Sequence, residues 1–285
     1  MNQGIGFIGQ GWIGKNYADD FEARGFNVVR YGLESEYAGN KEAIRGCIIV
    51  FIAVPTPTTP EGFDSSALRS SLPLLGKGSI AVLKSTMLPG TTEELQELFP
   101  DILVLNSPEF LREANAAYDA AHPGRNIIGI PRKEEQYEAA AEKVLSVLPQ
   151  APYSKIMSAR AAELTKYAGN VFLAMKVVYA NILYDFADTL DVEYEDVRDA
   201  LGADPRIGYS HLQPIDASGH SDKSGRGAGG HCFIKDLEAF RRLHDSVRSD
   251  FEGSALLAAL ITKNNCLLLD SGKDIDLVEA TYGPQ

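Results

Sequence analysis

Cys232 stands behind two glycines in the run Gly229-Gly230-His231-Cys232-Phe233-Ile234-Lys235-Asp236. A thiol is a nucleophile for a carbonyl carbon, and neighbours without side chains allow close approach. Addition to an aldehyde gives a thiohemiacetal, which can lose a hydride to become a thioester, and water then opens the thioester to a carboxylate. Glu163, Lys166 and Asn170 are spaced i, i+3, i+7, which puts them on one face of a helix. A cation and an amide donor on that face can stabilise an alkoxide or oxyanion, an effect worth roughly 3 kcal/mol per donor in comparable sites. Glu163 is also placed to pair with Lys166. Glu109 and Glu113 lie four apart after an apolar run, and Thr86 ends another. Arg112, Arg206 and Lys235 are cations able to hold a phosphate. Cys47 and Cys266 fall in apolar patterns and read as core residues. The histidines lack ligand spacing, so no metal is expected.

A second constellation lies at the N-terminus. Gly9-Gln10-Gly11-Trp12-Ile13-Gly14 is a G-x-G-x-x-G between an apolar run and a helical pattern. Such glycines permit a tight turn and close backbone approach, and the helix start offers N–H groups to a pyrophosphate. A dinucleotide site is therefore expected. An acidic residue should follow the next strand and hold the adenosine ribose. The chain has Arg30-Tyr31-Gly32-Leu33-Glu34 there, which leaves Glu34 as the acid. NAD is the expected cofactor, and Arg30, able to face a 2′-phosphate, leaves NADP open.

These groups need elements to carry them. Gly4–Ile8, Asn27–Tyr31, Cys47–Val54, Ser79–Lys84, Ile102–Asn106 and Asn126–Ile130 read as strands. Helices are expected from the glycine turn to about Arg24 and over Ser65–Leu74, Thr91–Leu98 and Glu134–Leu148. Strands alternating with helices imply an α/β fold, a Rossmann-type doubly wound parallel sheet. After Pro152 the pattern becomes helical, with one long helix over Ser158–Leu190, others over Val192–Leu201, Asp236–His244 and Gly253–Leu269, and a loop over Gly202–Gly230. The expected domains are a nucleotide-binding one over 1–152 and an all-helical one over 153–285. The 285 residues are 45% hydrophobic, enough for one large domain or two ordinary ones. A net charge of −12 disfavours nucleic acid and anionic membrane as partners. Three cysteines make no disulfide framework, and neither a signal peptide nor a membrane span is apparent, so a cytoplasmic protein is expected.

Further motifs follow in order. They are Val54-Pro55-Thr56-Pro57, Lys84-Ser85-Thr86 with Pro89-Gly90-Thr91, and Ser107-Pro108-Glu109-Phe110-Leu111-Arg112-Glu113. Pro123-Gly124-Arg125, Glu163-Leu164-Thr165-Lys166-Tyr167-Ala168-Gly169-Asn170 and Asp204-Pro205-Arg206-Ile207-Gly208 lead to the cysteine run. The ordered set resembles the UDP-glucose/GDP-mannose 6-dehydrogenase family over nearly the whole chain. The resemblance implies oxidation of a primary alcohol, C6 of a nucleotide sugar, to a carboxylate with NAD and a thioester on Cys232. It makes Lys166 the active-site lysine with Asn170 as its partner, Asp236 the water-holding carboxylate, Glu109 the activator of the hydrolytic water and Thr86 its holder. Glu113 is either a second carboxylate of the site or a surface one. Val54, Pro55, Thr56 and Thr86 join the glycine turn in holding the cofactor. Phe110, Leu111, Arg112, Glu113, Lys166, Arg206, Gly229, Gly230 and Lys235 fall to the substrate.

The departures are specific. Relatives continue into a second nucleotide-binding-like domain, whereas this sequence ends at Gln285 and reads as a short form. The loop over Asp216–Arg226 is lengthened, and Ile234 replaces a proline of the motif. Two other readings stay open: a β-hydroxyacid-type dehydrogenase, which needs no cysteine, and a non-catalytic nucleotide-binding regulator. The long helix, with Val171, Ala174, Val178 and Ile182, offers apolar surface for a homodimer through residues 158–190.

Overall fold

The computed structural model describes residues 4–248 and 250–284. The chain begins with β1 (Ile5–Ile8), buried throughout, and turns into α1 (Trp12–Ala23). β2 (Val28–Tyr31), α2 (Lys41–Arg45) and β3 (Ile49–Ile52) follow, then a minimal hairpin of β4 (Thr58–Thr59) and β5 (Gly62–Phe63). Next come α3 (Ser66–Ser71), β6 (Ile80–Leu83), α4 (Thr91–Leu98), β7 (Leu103–Asn106) and α5 (Ala116–Ala121). β8 (Arg125–Ile130), α6 (Glu135–Val147) and β9 (Tyr153–Ser158) complete the sheet. The remainder is α7 (Ala159–Thr189), α8 (Tyr194–Gly202), the strands β10 (Ile215–Ala217) and β11 (Ser224–Arg226), α9 (Gly230–Val247), α10 (Phe251–Ser271) and α11 (Ile275–Tyr282).

The seven-stranded sheet has the order β2-β1-β3-β6-β7-β8-β9. Its central strands read IGFI, IVFI and IAVL and are buried along their length, as a sheet covered on both faces demands. The Rossmann-type expectation holds, with one refinement. β8 runs antiparallel to β7, and β9 follows β8, so two strands oppose the other five. Gly129 in β8 lets the start of α7 pack on the sheet: a Cβ there would lie 2.8 Å from the Cα of Ala159 and 2.9 Å from the Cβ of Ala162. Phe7, Phe21 and Phe51 form the aromatic centre of this core.

β9 escaped the sequence reading because its residues, Tyr-Ser-Lys-Ile-Met-Ser, are mostly exposed at the sheet edge and show no apolar period. The compact units accordingly divide within α7, at 166/167, rather than at 152/153. One comprises 1–56 and 64–166, the other 57–63 and 167–285. The second unit is helical around a core of Val171, Ala174, Val178, Leu237, Leu260 and Ile261. The expected loop over 202–230 contains the β10–β11 hairpin. α9 begins at Gly230 rather than Asp236, and α11 was not foreseen. Cys47 is buried as expected, whereas Cys266 lies on the exposed side of α10.

Candidate active site

The register of the sheet sets out the candidate residues of the first unit. Ile8 pairs with Ile52, Ile52 with Leu83, and Leu83 with Asn106, so four parallel strands end level. The residues that follow them, Gly9, Ala53–Thr56, Lys84–Thr86 and Ser107–Glu109, therefore emerge along one edge, where parallel sheets gather ligands. Gly9 adopts φ +89°, and a Cβ on it would sit 2.2 Å from the carbonyl oxygen of Ala53. Gly14 packs so closely that a Cβ would lie 2.0 Å from the carbonyl oxygen of Gly9. A Cβ on Gly11 would meet nothing within 4 Å, so the space before Trp12 and Ile13 is open. α1 starts there with neither a side-chain cap nor an acid in its first turn, so its amide groups face an anion site. The turn fits a dinucleotide pyrophosphate.

Glu34 answers the question raised by Gly32. Its Oε2 lies 2.1 Å from where a Gly32 Cβ would stand, so the carboxylate folds back into the place of the missing acid. Arg30 points elsewhere. Its guanidinium is engaged by Asp19 at 2.6 Å and Glu22 at 2.8 Å on α1. A carboxylate at the ribose position and a committed arginine favour NAD over a 2′-phosphate. Ser85 fixes the next strand end by bonding both the N–H and the carbonyl of Val54, and the Thr56 hydroxyl donates to the carbonyl of Thr86. Pro55 is exposed beside them.

Glu109 is 2% exposed and ties the edge to α7. Its Oε1 accepts from Lys166 Nζ at 2.6 Å, and its Oε2 accepts the Leu111 N–H at 2.7 Å. Glu163 lies on the same helix as Lys166 and has partners on another element. It accepts from the Gly90 and Thr92 N–H groups and the Thr92 hydroxyl, at 2.6, 2.8 and 2.6 Å, and so caps the start of α4. Burial raises its pKa to about 7, against the pull of those donors. Phe110, Leu111 and Arg112 line a pocket of about 120 Å³ with Tyr17 and Arg125. Arg112 is held by Asp119, whereas Arg125 stacks on Phe110 at 3.7 Å and has no carboxylate partner among the described residues. Glu113 is half-buried in a single 3₁₀ turn.

A separate cluster lies on α9 and the second-unit part of α7. Cys232 occupies the first turn of α9 rather than a loop, behind Gly229 as the capping residue, and no acid shares that turn. A helix N-terminus favours a thiolate. Asp236, fully buried one turn on, accepts from Asn170 Nδ2 and from Lys235 Nζ, each at 2.6 Å. Asn170 thus serves Asp236, and Lys235 is paired within its own helix. The glycine bend is locked from α11's side. Asp274 accepts the Gly230 N–H at 2.7 Å and the Ser218 hydroxyl at 3.0 Å, and Lys273 donates to the carbonyl of Gly227 at 3.0 Å. The Arg206 side chain is 87% exposed and paired with Asp204 two residues away.

Lys84, Arg125 and Asp274 were missed as site residues. The first two sit in motifs already quoted, and their burial and partners become visible only in three dimensions. Asp274 lies 44 positions from the amide it holds, which no local pattern reports. Among the described residues, no group of three histidines, cysteines or carboxylates is placed to hold a metal, and no helix is long and apolar enough to cross a membrane.

Comparison with known proteins fits this construction. Residues 33–148 match the NAD binding domain of the UDP-glucose/GDP-mannose dehydrogenase family, and residues 160–265 match its central domain. The chain belongs to that family. A UDP-glucose 6-dehydrogenase of Bacillus subtilis is 30% identical over 279 residues, 90% of this chain and 59% of that protein. The chain spans little more than half the length of the curated relatives it matches first. A UDP-glucose dehydrogenase from the archaeon Pyrobaculum islandicum superposes with a TM-score of 0.77 at 29% identity, over 93% of this chain and 68% of that one. A 3-hydroxyisobutyrate dehydrogenase of Mycobacterium tuberculosis matches over 99% of both chains with a TM-score of 0.70, but at 16% identity this likeness shows the fold alone.

Proposed function

We propose that the protein is an NAD-dependent dehydrogenase that oxidises a primary alcohol, C6 of a nucleotide sugar, to a carboxylate through a thioester on Cys232. The observation that carries the reading is the set on α9: a thiol in the first helical turn, with Asp236 buried below it and tied to Asn170 and Lys235. Bound NAD supplies the hydride acceptor, one equivalent for each two-electron step. Gly9, Gly11, Trp12, Ile13 and Gly14 hold its pyrophosphate, Glu34 its ribose, and Val54, Pro55, Thr56 and Thr86 flank it.

Lys166 stabilises the alkoxide as the alcohol gives up its proton, and Asp236 positions the water that takes that proton. After the first hydride leaves, the Cys232 sulfur bonds to the aldehyde carbon and the oxygen takes the thiol proton, giving a thiohemiacetal. Loss of the second hydride and of the hydroxyl proton leaves a thioester. Glu109, with Thr86 holding the water, removes a proton as hydroxide adds, and the thiol departs from the carboxylic acid. Phe110, Leu111, Arg112, Glu113, Gly229, Gly230, Arg206 and Lys235 bind the substrate, with the backbone at the glycines and the cations on its phosphates. Mixing protein, NAD and a panel of nucleotide sugars tests this by NADH absorbance. Turnover lost on thiol alkylation supports the scheme, whereas activity indifferent to alkylation returns the β-hydroxyacid-type reading.

We also propose a homodimer through α7. Val171, Ala174 and Val178 are core residues, contrary to the sequence expectation. The exposed stripe is instead Phe172, Met175, Tyr179, Ile182 and Phe186, spaced three and four apart.

A further inference from the structure

At the edge of the sheet Glu109 faces two buried ammonium groups, those of Lys166 and Lys84. Lys166 is the direct partner of Glu109, at 2.6 Å. Lys84, the first residue after β6, is 3% exposed. Its Nζ donates to the carbonyl and to the hydroxyl of Ser107, each at 3.1 Å, and faces the Tyr17 ring 4.3 Å from its centroid. All of these partners are neutral. Burying an ammonium without a carboxylate of its own is costly, and a tether between β6 and β7 needs no charge. Three elements face Lys84: Tyr17 from α1, Ser107 and Glu109 from the segment after β7, and Lys166 from α7. Of the charged ones, Glu109 favours the ammonium and Lys166 opposes it.

We propose that Lys84 is a positioning residue for Glu109, the second ammonium that keeps this carboxylate ionised, and its segment clamped through Ser107, when Lys166 turns to a substrate oxygen. The proposal rests on the roles given above to Glu109 and Lys166. Burial lowers the Lys84 pKa to about 7, so its proton is present on the acid side of neutrality and lost above it. Below that point two ammonium groups face Glu109. Above it Lys84 is neutral, and the carboxylate becomes a stronger base toward water.

The test follows Lys84 by NMR of its ¹³Cε-labelled side chain in the full chain, assigned by loss of the signal in Lys84→Met. Its midpoint should fall by about one pH unit or more in Glu109→Gln and rise by a similar amount in Lys166→Met. This readout needs no turnover, so it stands or falls apart from the proposed chemistry. If the chain makes acid, the acidic limb of its pH profile should move up by about one unit in Lys84→Met and stay in place in Lys84→Arg. A Lys84 midpoint unmoved in both neighbours' variants overturns the proposal. So does a Lys84→Met chain that is less stable but keeps the wild-type pH profile.

Discussion

At the scale of single residues, the account separates groups that react from groups that hold them. Cys232→Ser should abolish acid formation while NAD binding, followed by fluorescence or calorimetry, persists. Asp274→Ala acts differently, because it leaves the Gly230 amide buried without its acceptor. It should cost about 1–3 kcal/mol in urea unfolding and slow acid formation, with NAD affinity unchanged. Glu34→Gln should narrow the preference for NAD over NADP by roughly tenfold in kcat/KM, since the carboxylate at Gly32 repels a 2′-phosphate. Lys84 also links stability to pH. Its folded pKa of about 7 lies below the unfolded value near 10.4, so between those limits the unfolded chain binds more protons and stability rises with pH. The stability of wild type relative to Lys84→Met, read by urea unfolding, should therefore increase from pH 6 to pH 10.

At the scale of elements, the glycine turn and the level strand ends gather candidate residues in one unit, and the first turn of α9 does so in the other. Glu163 shows how far such a device can reach, since a residue of α7 caps α4. Glu163→Ala should cost about 1–3 kcal/mol through three unmet donors, and Gly129→Ala a similar amount by forcing β8 away from Ala159 and Ala162. The central strands and most helices were legible in the sequence because burial on both faces writes itself as unbroken apolar runs. β9 was not, because an edge strand with one polar residue after another has no such signature. The reversal of β8 was not legible either, because strand direction leaves no mark in an apolar period. Among the candidate residues, contacts between elements were not legible: Asn170 bonds Asp236, and Glu163 bonds Gly90 and Thr92.

At the scale of the whole molecule, α7 is shared by the two compact units and shows solvent a row of large apolar side chains. Phe172 and Tyr179 are 63% and 57% exposed, an arrangement that a soluble monomer seldom keeps. Replacing both by glutamate should convert a dimer to a monomer in sedimentation velocity at micromolar concentration. A wild-type chain that already sediments as a monomer removes the homodimer from the account.

The central claim is covalent chemistry on one sulfur, and its most direct test is a count. With a nucleotide sugar that the panel shows to be oxidised and excess NAD, the protein should release two NADH for each carboxylate formed, with no free aldehyde. One NADH per turnover with aldehyde accumulating would contradict the thioester and leave a simple alcohol dehydrogenase on this fold.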